Sequence, residues 1–439
     1  MSRISGGATF ARTLASHKLA RLERLRLAAA LADRANAEDL PVLATPPAYS
    51  QATGATGSLS RVYTLASHPA VFQVSGGIPV ENTTRAGFWL FPVTKVGNGI
   101  VASGNLSTWT GDREDFQNAW SLTFLTDADM VEFKLAKNTT AGRNYRFIID
   151  GQYLDKTGTD LQPLGGTTVF VKLDFSALAP ARRMRTITIE GAGSNQHSFA
   201  SVAVGPTSSI AHPGTNRTHL LALFGGDSFT EGENASPAVN KWVAWPYRAC
   251  KRLGIPQLYD LAIGTTGYVN TGSGNRRKLV DQIAHDWGRA AFANADLIVL
   301  ANGYNDKASA AINPAILATI RTEARSSWAA VRLQFPDALV VILGVFGGKS
   351  GPNADTVAAE NGLKAEFDSW ADDFALWLPV STDPAPWQFG TGNVAAPTGD
   401  GNSDVTTSND NVHPSDYGHD VIAHRFTAAL RYEMARMRV

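Results

Sequence analysis

Five short apolar runs, separated by helix-length segments, constrain the fold of this 439-residue chain more than any other feature. They span residues 220–224, 258–263, 296–301, 338–345 and 375–379. Helical composition fills 241–253, 278–289, 314–334, 354–374 and, at the end, 416–437. When a helix follows each strand, the crossovers are right-handed and the strands align in parallel, with helices on both faces. Such sheets bind ligands beyond the carboxyl ends of their strands. The residues just after each apolar run are therefore the first candidates for chemistry.

Upstream the pattern differs. Residues 61–205 carry short strand-like segments at 88–93, 121–125, 130–135, 145–151, 169–175 and 184–191, bounded by Gly, Asp, Asn, Ser or Thr. No helical period separates them, which predicts an antiparallel β-sandwich resembling a jelly roll. The expected division is residues 1–60 as an N-terminal helix and linker arm, 61–205 as the sandwich and 206–439 as the α/β domain. In the helix, expected over 9–37, Leu14, Leu19, Leu22, Leu25 and Leu27 lie among basic residues. Such a helix packs on its own protein or on a partner subunit, as in a homo-oligomer, more often than it lies on a membrane. Residues 39–60, with Pro41, Pro46 and Pro47, read as a loose arm. Trp89, Trp109 and Trp120 are candidates for a carbohydrate-stacking face, although tryptophans more often fill cores.

Charge excludes several partners. Lys+Arg and Asp+Glu balance at 39 each, so no global field favours nucleic acid or an anionic surface. No apolar run approaches the ~20 residues that span a bilayer. The N-terminal residues are too basic for a signal peptide, and the compartment stays open. The single cysteine, Cys250, excludes an internal disulfide and a cysteine-built metal site.

Four pieces fall at strand ends or helix entries: Gly226-Asp227-Ser228, the loop Asp260 to Tyr268 with Gly264-Thr265-Thr266-Gly267, Gly303-Tyr304-Asn305-Asp306, and Asp410-Asn411-Val412-His413-Pro414. Each alone is ordinary, since Asp and Ser cap helices and Gly-x-Asn-Asp makes turns. Together they supply acyl-transfer chemistry. A serine hydroxyl needs a base within hydrogen-bond reach, which His413 can be, and Asp410 can hold the ring in the required tautomer. Candidate oxyanion donors are the Ser228 N–H, an N–H of the glycine loop at Gly264 or Thr265, and the Asn305 amide. His419 and His424 are five residues apart and do not share a helical face as a metal-binding pair would.

Gly226-Asp227-Ser228, the second-loop glycine, Gly303-x-Asn305-Asp306 and Asp410-x-x-His413 resemble the four blocks of the SGNH (GDSL-type) hydrolases, from residue 220 to the C-terminus. The resemblance implies a flavodoxin-like three-layer fold. It also implies Ser228 as nucleophile, His413 as base and Asp410 as its orienter, with Ser228, a loop residue and Asn305 forming the oxyanion hole. Asp227, Gly303 and Asp306 support them. The second block departs from the pattern: counting from Asp260, where many members have Asn, the family glycine falls on Thr265, next to Gly264. No metal or cofactor is implied. A sandwich before such a domain resembles the layout of some carbohydrate esterases that deacetylate polysaccharides. The expected activity is a serine esterase acting on short acyl esters, above all O-acetylated carbohydrate. Alternatives are a lipase or thioesterase for longer chains, and a glycan-binding or trimming component of a larger assembly such as a phage tail.

Overall fold

The structure, a computed structural model, describes residues 5–34, 40–76, 79–81, 86–91, 95–96, 99–100, 120–137, 144–156, 158–160, 168–191, 197–214, 220–232, 241–272, 276–288, 292–348 and 351–438. Five strands of the C-terminal half are β1 Leu221–Gly226, β2 Gln257–Asp260, β3 Leu297–Ala301, β4 Leu339–Leu343 and β5 Ala375–Leu378. They lie side by side in the order β2-β1-β3-β4-β5, every pair parallel. This is the flavodoxin-like order, and its switch point lies between β1 and β3.

The helices are α1 Ser5–Arg34, α2 Ser228–Glu231, α3 Trp245–Leu253, α4 Leu279–Asp286, α5 Pro314–Gln334, α6 Ala354–Trp370, α7 Ser403–Thr406 and α8 Asp416–Arg436. Every residue of β1, β3 and β4 is buried, as strands covered on both faces must be. Alternate β1 side chains divide between the layers. Leu221 and Leu223 pack with Ile283, Trp328 and Leu363 of α4, α5 and α6. Ala222 and Phe224 pack with Trp245 of α3, Phe426 of α8 and Leu25 of α1.

Helix α1 thus packs on the protein's own body through Leu22 and Leu25, while Leu19 and Leu27 stay exposed. Its arginines fasten it to the amino-terminal end of the sheet. Arg21 and Arg24 reach Oδ1 of buried Asp296 at 3.0 and 2.8 Å, and Oδ2 accepts the Leu221 N–H of β1. Burial pushes the Asp296 carboxyl up, opposed by that N–H and the two guanidinium groups. Among the described residues, no helix is long and apolar enough to cross a membrane.

Among the described residues, the N-terminal half forms two large antiparallel sheets and a two-stranded ribbon of Lys95–Val96 and Gly99–Ile100. One runs Ala48–Ala52, Thr168–Asp174, Met130–Lys137, His197–Val204, Trp89–Phe91 and Val80–Glu81, with Arg61–Tyr63 also on His197–Val204. The other runs Gln152–Tyr153, Asn144–Ile149, Arg185–Gly191, Trp120–Thr126 and Ile210–Ala211. Their inner faces share a core of Phe124, Phe133, Phe147, Val171 and Ile189.

One expectation is corrected here, and Trp120 takes the core role that tryptophans more often have. Ala48–Ala52, within the expected loose arm, is an edge strand paired in register with Thr168–Asp174. Trp120 is core, 1% exposed and edge-on to Tyr145, because strand alternation places it on the inner face with Leu122 and Phe124. Trp89 also packs against the sandwich core, and Trp109 lies outside the described residues. The sandwich docks on the edge of the parallel sheet: the Leu258 N–H of β2 donates to Ser75 Oγ (3.1 Å), and the Gly76 N–H donates to the Leu258 carbonyl (2.9 Å).

Candidate active site

At the end of β1 two glycines permit close packing. A Cβ on Gly225 would lie 2.7 Å from the Trp287 ring, and one on Gly226 would lie 2.3 Å from Thr230 Oγ1. Asp227 then turns the chain into α2. Its backbone is extended (φ −105°, ψ −157°) and its Oδ1 accepts the Phe229 N–H at 3.0 Å. The Thr230 and Glu231 amides also point back to Asp227, at its carbonyl. Ser228 is thereby placed first in a one-turn helix beyond the strand, 4% exposed.

His413 arrives from the other end of the chain. Pro414 follows it, and Ser415 caps α8 by accepting the Gly418 N–H at 3.0 Å. His413 Nε2 lies 2.7 Å from Ser228 Oγ, and its Nδ1 makes a short hydrogen bond with Asp410 Oδ2. Asp410 Oδ1 accepts the Ser408 hydroxyl (2.6 Å) and the Val412 and His413 N–H groups (3.0 Å each). Burial alone would raise the Asp410 carboxyl, but the Ser408 and His413 side chains and those two amides hold it well below the usual carboxylate range. The carboxylate stays ionised opposite the imidazole. Phe229 walls the ring at 5.7 Å and stacks on Phe346 at 5.0 Å, with Trp387 behind. An aromatic wall of this kind limits rotation of His413 away from the serine.

Serine, histidine and carboxylate follow one another by hydrogen bonds at the switch point, where such folds bind ligands. Residues 224–421 match the GDSL-like lipase/acylhydrolase family. This is a GDSL-like acylhydrolase domain. The protein that carries it is a carboxylic ester hydrolase. No curated protein sequence matches the chain. Its fold is similar to that of a family two carbohydrate esterase from Cellvibrio japonicus (TM-score 0.57, 16% identity, covering 88% of this chain and 99% of that one). It is similar as well to the salicylyl-acyltransferase SsfX3 from a tetracycline biosynthetic pathway (TM-score 0.56, 13% identity, 84% and 97% covered). A third is the acetyl xylan esterase Est2A from the rumen bacterium Butyrivibrio proteoclasticus (TM-score 0.54, 10% identity, 89% and 99% covered). At such identities the likeness is one of fold.

In the acylhydrolase domain the second loop lies beside Ser228. The Gly264 N–H donates to Glu231 Oε2 at 2.6 Å, and the Thr266 N–H to the Ile263 carbonyl at 3.3 Å. Thr265, between them, holds φ +65°, the left-handed region that favours glycine. Asp306 ties this loop to the third block, accepting the Tyr268, Val269 and Asn270 N–H groups at 2.7, 3.1 and 2.8 Å. Gly267 makes room for it: a Cβ there would lie 2.3 Å from the carboxylate. Asn305 comes to the same loop, its Nδ2 donating to the Thr266 carbonyl at 2.9 Å. Gly303, at φ +117°, turns the chain into this block.

Asp227, behind the nucleophile, is 1% exposed. Burial, opposed by the Phe229 N–H and reinforced by the Asp306 charge, pushes its carboxyl up to about 7. Lys307 is brought down to about 8 by burial, against the pull of Asp227 and Asp355, and its ammonium lies over the Tyr304 ring. Glu231, Arg276 and Lys307 are the polar neighbours that sequence reasoning missed. Glu231 had a local signal, three residues after Ser228 on the first turn of a helix, whereas Arg276 meets the loop only through the path of the chain. His419 is fully buried, its Nδ1 accepting the Trp245 N–H, and His424 is exposed.

Proposed function

We propose that the enzyme is a serine esterase that removes short acyl groups, chiefly O-acetyl groups from carbohydrate, through an acyl-enzyme on Ser228. The observation that carries the reading is the 2.7 Å approach of His413 Nε2 to Ser228 Oγ, with Asp410 on the opposite ring nitrogen. In the first half-reaction His413 takes the Oγ proton while Oγ bonds to the acyl carbon. Asp410 stabilises the imidazolium without itself taking the proton. The tetrahedral oxyanion faces the Ser228 N–H, the Thr265 N–H and the Asn305 amide. Thr265 is preferred over Gly264 because the Gly264 N–H is already held by Glu231. Collapse expels the alcohol oxygen, which takes the proton from His413. A water then repeats the sequence on the acyl-enzyme, and carboxylate leaves with Ser228 restored.

The short-acyl and carbohydrate parts of the reading draw support from the likeness to the family two carbohydrate esterase and the acetyl xylan esterase. The wall of Phe229, Phe346 and buried Trp387 beside His413 also favours a small acyl group. Acetate release from a panel of acetylated polysaccharides, run beside Ser228→Ala, tests the proposal. Release by the wild type and none by the variant is expected. Equal release by both would reject the nucleophile. A wild type that prefers aryl esters of eight carbons or more over acetate would reject the acyl class.

A further inference from the structure

Glu231 and Arg276 clamp the peptide units around Gly264 from two sides. Glu231 Oε2 accepts the Gly264 N–H at 2.6 Å, and Arg276 Nη1 donates to the Gly264 carbonyl at 2.5 Å. The same Nη1 also donates to Thr265 Oγ1 at 2.9 Å. The Gly264 carbonyl and the Thr265 N–H belong to one conjugated amide. A cation bonded to the oxygen of an amide draws electron density from its nitrogen and makes the N–H a stronger donor. Gly272 lets this arrangement close, since a Cβ on it would lie 2.5 Å from Thr265 Oγ1 and 3.4 Å from Arg276 Cδ.

We infer that Arg276 is a positioning residue for the ester hydrolysis, which polarises the Gly264–Thr265 peptide so that the Thr265 N–H binds the oxyanion of the tetrahedral intermediate. The inference rests on the proposed Ser228 mechanism. It assigns to a guanidinium outside the four sequence blocks the task of strengthening one backbone donor. Thr265 keeps its left-handed backbone in a residue type that ordinarily avoids it, with its hydroxyl held by the same guanidinium. The charge lies one peptide group from the oxyanion and acts more strongly on the transition state than on the neutral ester, so its loss falls on kcat and not on KM. A polarised donor plus that Coulomb term is worth roughly ten- to thirty-fold in rate, less than the roughly 10²–10³ for deleting a donor.

The test measures kcat and KM for 4-nitrophenyl acetate, and inhibition by a trifluoromethyl ketone whose serine adduct carries the same oxyanion. The proteins are wild type, Arg276→Gln, Arg276→Lys, and Arg276→Gln combined with Thr265→Gly. Arg276→Gln is expected to lose roughly ten- to thirty-fold in kcat with KM within about twofold, and to bind the ketone more weakly by a similar factor. Arg276→Lys is expected to recover part of the loss. The loss from Arg276→Gln is expected to persist in the Thr265→Gly background, where backbone strain is relieved. The inference is overturned if Arg276→Gln keeps wild-type kcat, if only KM rises, or if the loss vanishes with Thr265→Gly. Ser228→Ala in the same assay separates the two levels: full activity in that variant rejects the underlying mechanism, whereas an inactive Ser228→Ala beside a fully active Arg276→Gln rejects this inference alone.

Discussion

Replacing Asp227 by asparagine is predicted to change stability in a pH-dependent way. The carboxyl is 1% exposed, its Oδ2 has no hydrogen-bond partner among the described residues, and burial raises it from 3.8 to about 7. Because the folded value exceeds the unfolded one, the native state takes up a proton that the unfolded chain does not, between pH about 7 and 3.8. Stability from this group is therefore greatest at acid pH, falls as pH rises to about 7, and levels above it. A gap of about 3 units corresponds to about 4 kcal/mol as an upper figure. Asparagine never carries the charge, and its Oδ1 can still accept the Phe229 N–H that Asp227 now holds at 3.0 Å. Its amide NH₂ replaces the unpartnered oxygen at a pH-independent cost of about 1–2 kcal/mol. Asp227→Asn is thus expected to be slightly less stable than wild type near pH 4 and more stable above pH about 7.5, by roughly 2 kcal/mol. Thermal melts across this range, at roughly 2–4 °C per kcal/mol, resolve the crossing. A difference in Tm that does not vary with pH would show that Asp227 is not a buried carboxylate with a raised folded pKa.

Other expectations concern the triad and the packing around it. Asp410→Asn retains an acceptor for the Ser408, Val412 and His413 donors, but presents an amide donor to Nδ1 and stabilises the wrong tautomer. A loss of roughly 10³–10⁴ in kcat, with circular dichroism unchanged, is expected. Gly225→Ala would drive a methyl into Trp287, 2.7 Å away, and is expected to cost about 1–3 kcal/mol in urea unfolding. Replacing Arg21 and Arg24 together by alanine leaves Asp296 buried without either cation, and should destabilise by about 3 kcal/mol at pH 8. That cost should shrink in acid as Asp296 takes up a proton.

The parallel sheet was legible because strands covered on both faces must be apolar throughout, and β1, β3 and β4 are. The meeting of Ser228 and His413 was legible for a chemical reason, since the serine nucleophile proposed here needs an imidazole within hydrogen-bond reach and the pieces fall at strand ends or a helix entry. Choosing between Gly264 and Thr265 was not within reach of residue type. A threonine at φ +65° runs against its own preference, and only the hydrogen bond from Gly264 to Glu231 distinguishes the two amides. Ala48–Ala52 was missed because an edge strand reading Ala-Tyr-Ser-Gln-Ala has no apolar alternation to reveal it. Trp120 could have been placed by the period of two that it shares with Leu122 and Phe124. The contacts of Arg276 and Lys307 depend on how loops close in space, which no local pattern encodes.

The proposed hydrolysis requires Ser228 to be the group that bonds to the acyl carbon, activated by His413. The direct measurement is covalent labelling with a fluorophosphonate, followed by peptide mass mapping of wild type, Ser228→Ala and His413→Ala. One adduct per chain on Ser228 is predicted, absent from Ser228→Ala and slowed by several orders of magnitude in His413→Ala. An adduct on another residue, or labelling of Ser228 at the wild-type rate without His413, would contradict it.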